Sequence, residues 1–294
     1  MNAEAPQVSV VVPCFNQGHF LGDAIDSVLA QTYPAVETVV VDDGSRDNSY
    51  EVAGRIPGVR RVRQSHRGVA AARNLGLAES SGELVVFLDA DDRLLPDAVT
   101  VGARALIRRP QVAFAAGRPR DIREDGEVMR RPCQPVVTQD HYMRLLEGCY
   151  IWSGSSVVYR RSALEAVGGF NESLDAGDDY ELYLKLARSF PVYCHDAVVT
   201  EYRRHGRNTT RNAAVVLTSQ LRVLRGQRPN LRGRRERRAW RAGIRKTRSE
   251  HGGALAEQLA IKWRRGQRRV AARDLLTLAR HAPGGLLMLA GQAA

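Results

Sequence analysis

Apolar runs of strand length alternate with helix-length amphipathic segments through the first 116 residues of the chain. The strand candidates are residues 8–12, 36–41, 59–62, 84–88 and 112–116. The candidate at 84–88 is apolar throughout, which is typical of a strand buried on both faces. Apolar residues at helical spacing fill the intervals, at residues 19–31, 47–55, 68–80 and 96–109. This alternation with short links predicts an α/β fold, with a Rossmann-like, mostly parallel sheet and helices on both faces.

The alternation changes after residue 116. Mixed charges and an Asp-Gly turn predict a loop or a small hairpin at residues 117–140. Further elements are predicted beyond it, with strands at 156–159, 192–194 and 198–202 and helices at 161–167 and 179–188. Residues 211–281 are predicted to form basic helices, interrupted around Pro229 and at Gly252-Gly253. A length of 294 residues fits one large domain plus an appendage.

Three carboxylates follow the strand candidate at 84–88, namely Asp89, Asp91 and Asp92. In open α/β sheets, ligands bind at the carboxyl ends of the strands. Asp89 and Asp91 are two residues apart, so in an extended chain they share a face. Crowded carboxylates raise one another's pKa unless a cation neutralises them, and Mg²⁺ suits one or two carboxylates plus phosphate oxygens. The alternative is an acidic turn that caps the next helix, with Asp92 near Pro96.

A second acidic pair, Asp42 and Asp43, follows the strand candidate at 36–41 and precedes Gly44 and Ser45. Carboxylates at the end of a strand can accept hydrogen bonds from a nucleotide base or from ribose hydroxyls. The alternative is a strand-to-helix turn with a capping side chain, which needs no ligand.

The order of several motifs closely resembles that of family 2 glycosyltransferases. The matching segments are Val10–Asn16, Glu37–Ser45, Gly68–Asn74, Asp89–Asp92, Val167–Glu172, Gly177–Leu182 and Tyr202–His205. The resemblance covers roughly residues 7–212. It implies the GT-A fold, in which a nucleotide-binding α/β half is joined to an acceptor-binding half. The domains expected from it are a catalytic domain at 1–212, with halves at 7–117 and 118–212, and a basic helical region at 213–294.

For the donor side, the resemblance implies a nucleoside diphosphate sugar and a Mg²⁺ or Mn²⁺ ion. Residues implied to lie against or near the nucleotide are Pro13, Asn16, Asp42, Asp43, Arg73 and Asp89. The metal is assigned to Asp91 with Asp89, and His205 completes the metal or diphosphate site. For Arg73 and His205 the alternatives are an ordinary helix-surface charge and an ordinary loop histidine.

For the acceptor side, Asp179 resembles the family's general base, which takes the proton from the attacking hydroxyl. The family usually has Glu-Asp at this place, whereas this chain has Asp178-Asp179. The alternative is a pair of acids that complements the dipole of a helix N-terminus. Trp152 is predicted to stack on a sugar or line the acceptor cleft, with an ordinary core or rim tryptophan as the alternative.

The net charge of +12 is concentrated in the C-terminal quarter. Residues 1–218 hold 25 Lys+Arg against 28 Asp+Glu, and residues 219–294 hold 19 against 4. Leu255, Leu259 and Trp263 are at four-residue spacing, which predicts a basic amphipathic helix on an anionic membrane surface. Nucleic-acid binding is the less favoured alternative, and a packed helical appendage with a solvated arginine face is the third.

Localisation is expected to be cytoplasmic, peripheral on the cytoplasmic face of the membrane. The N-terminus lacks the basic start and apolar run of a signal peptide, and no run of about 18 apolar residues is present. The four cysteines are scattered without a C-x-x-C pair, which argues against a zinc site and fits reduced thiols.

These features together predict a metal-dependent, inverting transfer of a sugar to an acceptor hydroxyl. UDP is favoured as the nucleotide because the resemblance implies it. The expected acceptor is a glycan or a lipid-linked sugar in cell-surface polysaccharide or glycolipid synthesis. One alternative is a sugar nucleotidyltransferase, but Pro13–Gly18 lacks the Gly-rich loop with Arg or Lys that such enzymes use. The other is a non-catalytic membrane- or nucleic-acid-binding protein with a degenerate core, which the intact acidic motifs oppose.

Overall fold

The computed structural model of the chain describes residues 5–293. Within that range eight strands form one sheet in the order β3-β2-β1-β4-β7-β6-β8-β5. Their bounds are β1 Val8–Cys14, β2 Val36–Asp42, β3 Val59–Arg63, β4 Leu84–Phe87, β5 Arg93–Leu94, β6 Phe114–Arg123, β7 Val157–Arg160 and β8 Tyr193–Arg204.

Eleven α-helices accompany the sheet in the described residues. They are α1 Gly18–Leu29, α2 Ser49–Gly54, α3 Val69–Ala78, α4 Ala98–Ile107, α5 His141–Glu147, α6 Arg161–Ala166, α7 Asp178–Ser189, α8 Ala213–Gly226, α9 Gly233–Arg264, α10 Arg268–His281 and α11 Gly284–Ala293. No helix among the described residues is long and apolar enough to cross a membrane.

The sheet is mixed, and its first four strands carry the predicted parallel arrangement. Strands β3, β2, β1 and β4 are parallel neighbours, and β6 is parallel to β8. Strand β7 is antiparallel to both β4 and β6, and β5 is antiparallel to β8. The carboxyl ends of β1, β2 and β4 therefore meet at one edge, where the acidic motifs lie.

Helices cover both faces of this sheet, and β1 is accordingly buried at every position. Val10 and Val12 belong to the core cluster that contains Ile25 of α1 and Val99 of α4. Val11 points the other way, toward α3, where Gly76 has no side chain. A Cβ on Gly76 would lie 2.1 Å from a methyl carbon of Val11. The α/β class and the helices on both faces are confirmed.

The chain divides into two compact units. Unit 1 comprises the residues up to His141 together with Tyr150–His205, and unit 2 comprises Tyr142–Cys149 and the residues from Gly206 onward. The core of unit 2 is a cluster of side chains from α8, α9 and α10, with Ala282 just beyond them. Its members are Ala213, Leu217, Leu221, Leu255, Ala256, Leu259, Ala271, Leu278 and Ala282.

The interruption expected at Gly252-Gly253 is wrong, because α9 runs through both glycines. Gly252 lies where helix α9 meets the end of α10, and a Cβ there would lie 2.7 Å from the Cβ of Ala282. The absence of a side chain thus serves close packing here. Helix α9 is held by its tertiary contacts, although glycine lowers intrinsic helix propensity.

Two other expectations differ from the structure in the second half of unit 1. The loop or small hairpin expected at 117–140 is present as a hairpin, since Ile122 is bridged antiparallel to Val128 around the Asp125-Gly126 turn, but its first part is strand, because β6 continues to Arg123. The two short strands expected at 192–194 and 198–202 form the single strand β8. Both differences come from pairing between β6 and β8, which aligns Arg120 with Glu201. Such pairing between distant segments leaves no local periodicity in the sequence.

Candidate active site

The acidic turn after β4 brings three carboxylates together. Oxygen atoms of Asp89, Asp91 and Asp92 lie within 4.8 Å of one another. The backbone N–H of Asp92 donates to the carbonyl of Asp89 at 2.9 Å, which closes the turn. Burial and the charge of Asp89 raise the pKa of Asp91, although His205 opposes this shift. A hard divalent cation at this cluster would relieve the crowding of negative charge.

The three carboxylates have different surroundings. Asp92 is buried, and its Oδ2 accepts from the Ser155 hydroxyl at 2.7 Å while its Oδ1 accepts from the Arg203 N–H at 3.0 Å. Asp91 Oδ2 lies 2.8 Å from His205 Nε2 and accepts from the side-chain amide of Gln17 at 3.2 Å. Asp92 therefore fixes the turn, whereas Asp89 and Asp91 lie at its more open side.

Burial and the neighbouring charges of Asp91 and Asp89 raise the pKa of Asp92 well above its usual range. The cluster of three carboxylates fits a metal ion, and the imidazole of His205 lies against one of them, Asp91. Asp89, Asp91 and His205 would hold the ion. When bound there, a divalent cation would stabilise charge on a departing diphosphate.

Arg73 connects this cluster to the start of α7. It is buried, one guanidinium nitrogen donates to Asp89 Oδ1 at 2.6 Å, and another donates to Asp178 Oδ2 at 2.7 Å. Burial alone would lower the pKa of Arg73, but Asp178 and Asp89 outweigh it and raise that pKa. The guanidinium also lies 5.3 Å from the ring centroid of Phe170. Both of these nitrogens donate to carboxylates, so contact between Arg73 and a nucleotide stays a prediction.

Asp178 and Asp179 form the first turn of α7, which follows Gly177 in the left-handed conformation (φ 76°). Asp179 is half-buried, and its Oδ1 accepts from the N–H of Tyr180 at 2.7 Å. Burial and the charge of Asp178 raise the pKa of Asp179 to about 6, with Arg73 opposing the shift. A carboxylate with a pKa close to neutral is well suited to accept a proton.

Gly154 leaves room beside Asp179. A Cβ placed on Gly154 would lie 3.9 Å from Asp179 Oδ2 and 3.9 Å from a guanidinium nitrogen of Arg73. Two residues before it, Trp152 is 46% exposed while its backbone N–H donates to Gln134 Oε1 at 2.7 Å. The backbone of Trp152 is thus anchored and its indole is open to solvent, so a core position is excluded.

Asp43 is buried at the end of β2 and organises the loop before α3. Its Oδ1 accepts from the side chain of Gln64 at 2.7 Å and from the N–H of Arg67 at 2.8 Å. Its Oδ2 accepts from the N–H of Gly68 at 2.9 Å. Asp42 is also buried, with Oδ2 2.9 Å from Arg63 Nε. Both acids hold the turn in place, and their contact with a nucleotide stays a prediction.

Asn16 has a left-handed backbone (φ 53°) and lies two residues after the end of β1, the strand that contains Pro13. Its backbone N–H donates to the Ser45 hydroxyl at 2.9 Å, and its Oδ1 accepts from the N–H of Arg46 at 2.8 Å. These bonds bring the ends of β1 and β2 together. Asn16 and the buried Pro13 therefore lie beside Asp42, as the resemblance implies.

An aromatic pair next to Asp43 was missed from the sequence. The rings of Phe15 and His66 stack with centroids 3.9 Å apart and an interplanar angle of 18°. His66 Nδ1 lies 2.8 Å from Asp43 Oδ2, and Phe15 is 40% exposed. The pair offers a flat surface at the same sheet edge. Phe15 lies within a quoted motif, but its stacking partner is 51 positions away in the chain.

Arg203 is a second residue that the sequence did not reveal. It is fully buried, and its guanidinium donates to the carbonyl of Asp91 at 2.9 Å, the carbonyl of Glu124 at 2.6 Å and Asp23 Oδ2 at 2.8 Å. The signal that could have indicated it is its inward position on β8, in alternation with the buried Glu201.

Comparison with known proteins identifies the family. The family model of Glycosyl transferase family 2 matches residues 9–168, which is more than half of the chain. The chain belongs to glycosyl transferase family 2. The resemblance inferred from the motifs is therefore confirmed.

Two relatives of this chain are longer proteins of which it matches only a part. An uncharacterized glycosyltransferase of Rickettsia felis is 28% identical over 214 residues, which cover 70% of this chain and 35% of that protein. The chondroitin synthase of Pasteurella multocida is 26% identical over 215 residues, which cover 70% of this chain and 21% of that protein. The chain therefore matches about a third and a fifth of the lengths of these relatives.

Solved structures show the same GT-A-like fold. Residues 1–349 of S. aureus TarS in complex with UDP-GlcNAc align with a TM-score of 0.65 and 17% identity, over 86% of this chain and 80% of that chain. Mannosyltransferase PcManGT from Pyrobaculum calidifontis in complex with GDP-Man and Mn²⁺ aligns with a TM-score of 0.64 and 22% identity, over 99% of this chain and 81% of that chain. The predicted fold class is confirmed.

Proposed function

We propose that this glycosyltransferase moves a sugar from a nucleoside diphosphate donor to an acceptor hydroxyl with the help of Mg²⁺ or Mn²⁺, inverting the anomeric centre. One observation carries the proposal. Arg73 binds Asp89 of the acidic turn and Asp178 of α7 at once. One guanidinium thereby links a carboxylate cluster suited to a metal diphosphate to Asp178, the neighbour of the proposed base Asp179 in the first turn of α7.

The donor is assigned to the edge formed by β1, β2 and β4, within residues 7–117. Asp89 and Asp91 are positioned for the metal, and His205 supports Asp91. Pro13, Asn16, Asp42, Asp43 and the Phe15–His66 pair line the place proposed for the base and ribose. Bound nucleotide sugars in the solved relatives support this donor class, and they include UDP-GlcNAc and GDP-Man with Mn²⁺. UDP is the nucleotide we favour.

Asp179 is the proposed general base. Its pKa of about 6 leaves it ionised at neutral pH, so it can take the proton of the acceptor hydroxyl. The hydroxyl oxygen then forms a bond to the anomeric carbon, and the bond from that carbon to the diphosphate breaks. A single displacement of this kind inverts the stereochemistry.

The acceptor is proposed to be a glycan or a lipid-linked sugar, bound within residues 118–212 with Trp152 and Asp178 on its side of the site. The chondroitin synthase among the relatives supports a role in polysaccharide synthesis. A cytoplasmic location is proposed, because all four cysteines are free, as in reducing compartments. In this division the catalytic domain is 1–212 and the basic helical region is 213–294.

The test is release of nucleoside diphosphate from a panel of UDP, GDP and dTDP sugars, measured with Mn²⁺ or Mg²⁺ and with a chelator. Asp91→Ala is expected to abolish metal-dependent release while the far-ultraviolet circular dichroism stays unchanged. Asp26→Ala is the matched control, since Asp26 is an exposed acid on α1. Full activity of Asp91→Ala would refute the metal site. Formation of a sugar nucleotide from a sugar phosphate and a nucleoside triphosphate would instead favour a nucleotidyltransferase.

A further inference from the structure

The turn between α9 and α10 is an exposed part of unit 2 that combines apolar and basic side chains. We call residues 261–270 the arginine tip. Its large apolar residues are open to solvent, with Ile261 47%, Trp263 60% and Val270 51% exposed. The same ten residues include four exposed arginines, namely Arg264, Arg265, Arg268 and Arg269.

The tip differs from the amphipathic face predicted from the sequence. Leu255 and Leu259 belong to that face, but both are buried in the core of unit 2. Both side chains pack in the core formed with α8 and α10, so neither can contact a membrane. Trp263, four residues further on, lies beyond the end of this core and remains exposed. The structure thus moves the candidate surface from the middle of α9 to its end.

Charge is strongly one-sided around the tip. Residues 258–294 contain seven Lys and Arg residues and one acid, Asp274. That acid is neutralised locally, since Asp274 Oδ2 accepts from Lys262 Nζ at 2.6 Å. The next acid in the sequence is Glu257, which is exposed one helical turn before Ile261, so the four arginines of the tip outnumber the acids near them in the sequence.

We propose that the arginine tip docks this protein on an anionic lipid surface, with Trp263 and Val270 entering the interface and the arginines binding headgroup phosphates. Tryptophan and arginine both place an apolar body in the boundary region and a polar end in water. A nucleic acid would satisfy the arginines but would leave the aliphatic side chain of Val270 in water. A second copy of the chain would bring the same positive charge against the tip.

The length of α9 provides a matched control within the same helix. Its 32 residues correspond to about 48 Å at 1.5 Å per residue. Arg234 and Arg235 are exposed near its first turn, and Arg264 and Arg265 are exposed at its last. The two pairs carry equal charge but are separated by several times the Debye length of about 8 Å at physiological salt.

The experiment is co-sedimentation of the full chain with vesicles of equal parts phosphatidylglycerol and phosphatidylcholine, compared with pure phosphatidylcholine. Wild type is expected to bind only the anionic vesicles, and less as salt is raised. Arg264→Gln with Arg265→Gln is expected to weaken partitioning about 30-fold, from about 1 kcal/mol per basic residue. Arg234→Gln with Arg235→Gln is expected to change it far less.

Tryptophan fluorescence reports whether the tip enters the interface. Anionic vesicles are expected to shift the emission of wild type to the blue, and Trp263→Phe is expected to lose the shift while retaining binding. Trp263→Ser is expected to lose both. Circular dichroism of each variant checks that the helices are intact, and all substituted positions are exposed.

Three results would overturn the proposal. Absence of binding to anionic vesicles at low salt is the first. Equal losses from the two arginine pairs are the second, because they would show a diffuse attraction of the whole basic region. The third is tight binding to a DNA duplex that depends on Arg264 and Arg265 while vesicles are ignored, which would assign the tip to nucleic acid. Donor hydrolysis is independent of all these outcomes.

Discussion

At the scale of single residues, neighbouring acids of this site differ in what they can do because their partners differ. Asp92 accepts hydrogen bonds from Ser155 and from the backbone of Arg203, so its oxygen atoms stabilise the turn. The side chain of Asp89 is one third exposed and binds one arginine nitrogen. Asp178 binds the other nitrogen of Arg73. Asp179 makes no such bond, and its Oδ2 faces the space beside Gly154.

Asp179→Asn should reduce turnover by about 10²–10⁴-fold, the usual contribution of a general base. The substitution preserves shape and keeps one acceptor oxygen, but the amide cannot take a proton from the acceptor hydroxyl. Donor affinity should hardly change, because Asp179 does not bond the proposed metal ligands. Initial rates and isothermal titration with a nucleoside diphosphate and Mn²⁺ would measure the two quantities.

Asp178→Asn is the neighbouring control, and it should behave differently. It weakens the partner of a buried arginine, so we expect a lower melting temperature and altered donor binding in addition to any loss of rate. A dead Asp178→Asn with a fully active Asp179→Asn would move the base one residue back. Normal rates in both variants would refute the assignment of the general base to this pair.

The pH dependence of the rate provides a second readout for Asp179. Its pKa is raised to about 6, so the carboxylate form needed for catalysis is lost as pH falls through about 6. Stability should move in the opposite direction: the folded state holds this proton more tightly than the unfolded chain, and this contribution is lost as pH rises from about 4 to about 6. In Asp179→Asn both effects should be absent from the pH profiles of rate and melting temperature.

Arg203→Lys should weaken activation by Mn²⁺ by about 10- to 100-fold, as is usual when a group that orients a metal ligand is changed. Arg203 acts as a positioning residue, because its guanidinium holds the carbonyl of Asp91 and the side chain of Asp23 together. Lysine keeps the charge but cannot make these bonds at once. The measurement is the Mn²⁺ concentration that gives half-maximal rate.

The matched control is Arg120→Lys. Arg120 lies on β6 and pairs with Glu201 of β8, the strand that also carries Arg203, and its side chain is 42% exposed. Its Mn²⁺ activation should be unchanged. A purely structural role for Arg203 would appear as a lower melting temperature with unchanged Mn²⁺ activation, contrary to our expectation.

At the scale of elements, the sequence predicted what is encoded locally. Strand β1 and helix α1 each have a complete apolar pattern, and the acidic turn directly follows β4, so these were identified with near-correct bounds. The long pairing of β6 with β8 depends on residues about 80 positions apart and was missed. The same limit applies to the site: Asp91 lies in a local motif, whereas its link to Asp23 through Arg203 exists only in the folded chain.

Gly243→Ala should destabilise unit 2 by about 1–3 kcal/mol, the usual cost of overpacking. A Cβ at Gly243 would lie within van der Waals radii of the backbone carbonyl of Leu146, and backbone cannot move aside as a side chain can. Gly253→Ala in the same helix is the control, because a Cβ there would meet only Met288 at 3.6 Å. That variant should gain up to about 1 kcal/mol of helix propensity. Urea unfolding followed by circular dichroism would measure both, and equal effects would contradict the packing of Gly243.

At the scale of the whole molecule, the chain passes between its two units three times, at residues 141–142, 149–150 and 205–206. Unit 2 is therefore more than a C-terminal extension. It also contains Tyr142–Cys149, a segment inserted within the sequence of unit 1. In this segment Leu145 and Leu146 are fully buried, and Gly243 of α9 lies against the carbonyl of Leu146.

A chain that ends at His205 should therefore lose stability and solubility, even though it retains every residue of the acidic turn. Its inserted segment would lose the helices of unit 2, and uncovering a leucine side chain costs about 1.5–3 kcal/mol. We expect a lower melting temperature and binding of an apolar fluorescent dye. Replacing Leu145 and Leu146 with serine in the shortened chain should reduce the dye binding, because the exposed apolar surface is then removed. If the shortened chain is instead as soluble and as stable as the full chain without these substitutions, the burial of this segment does not depend on unit 2.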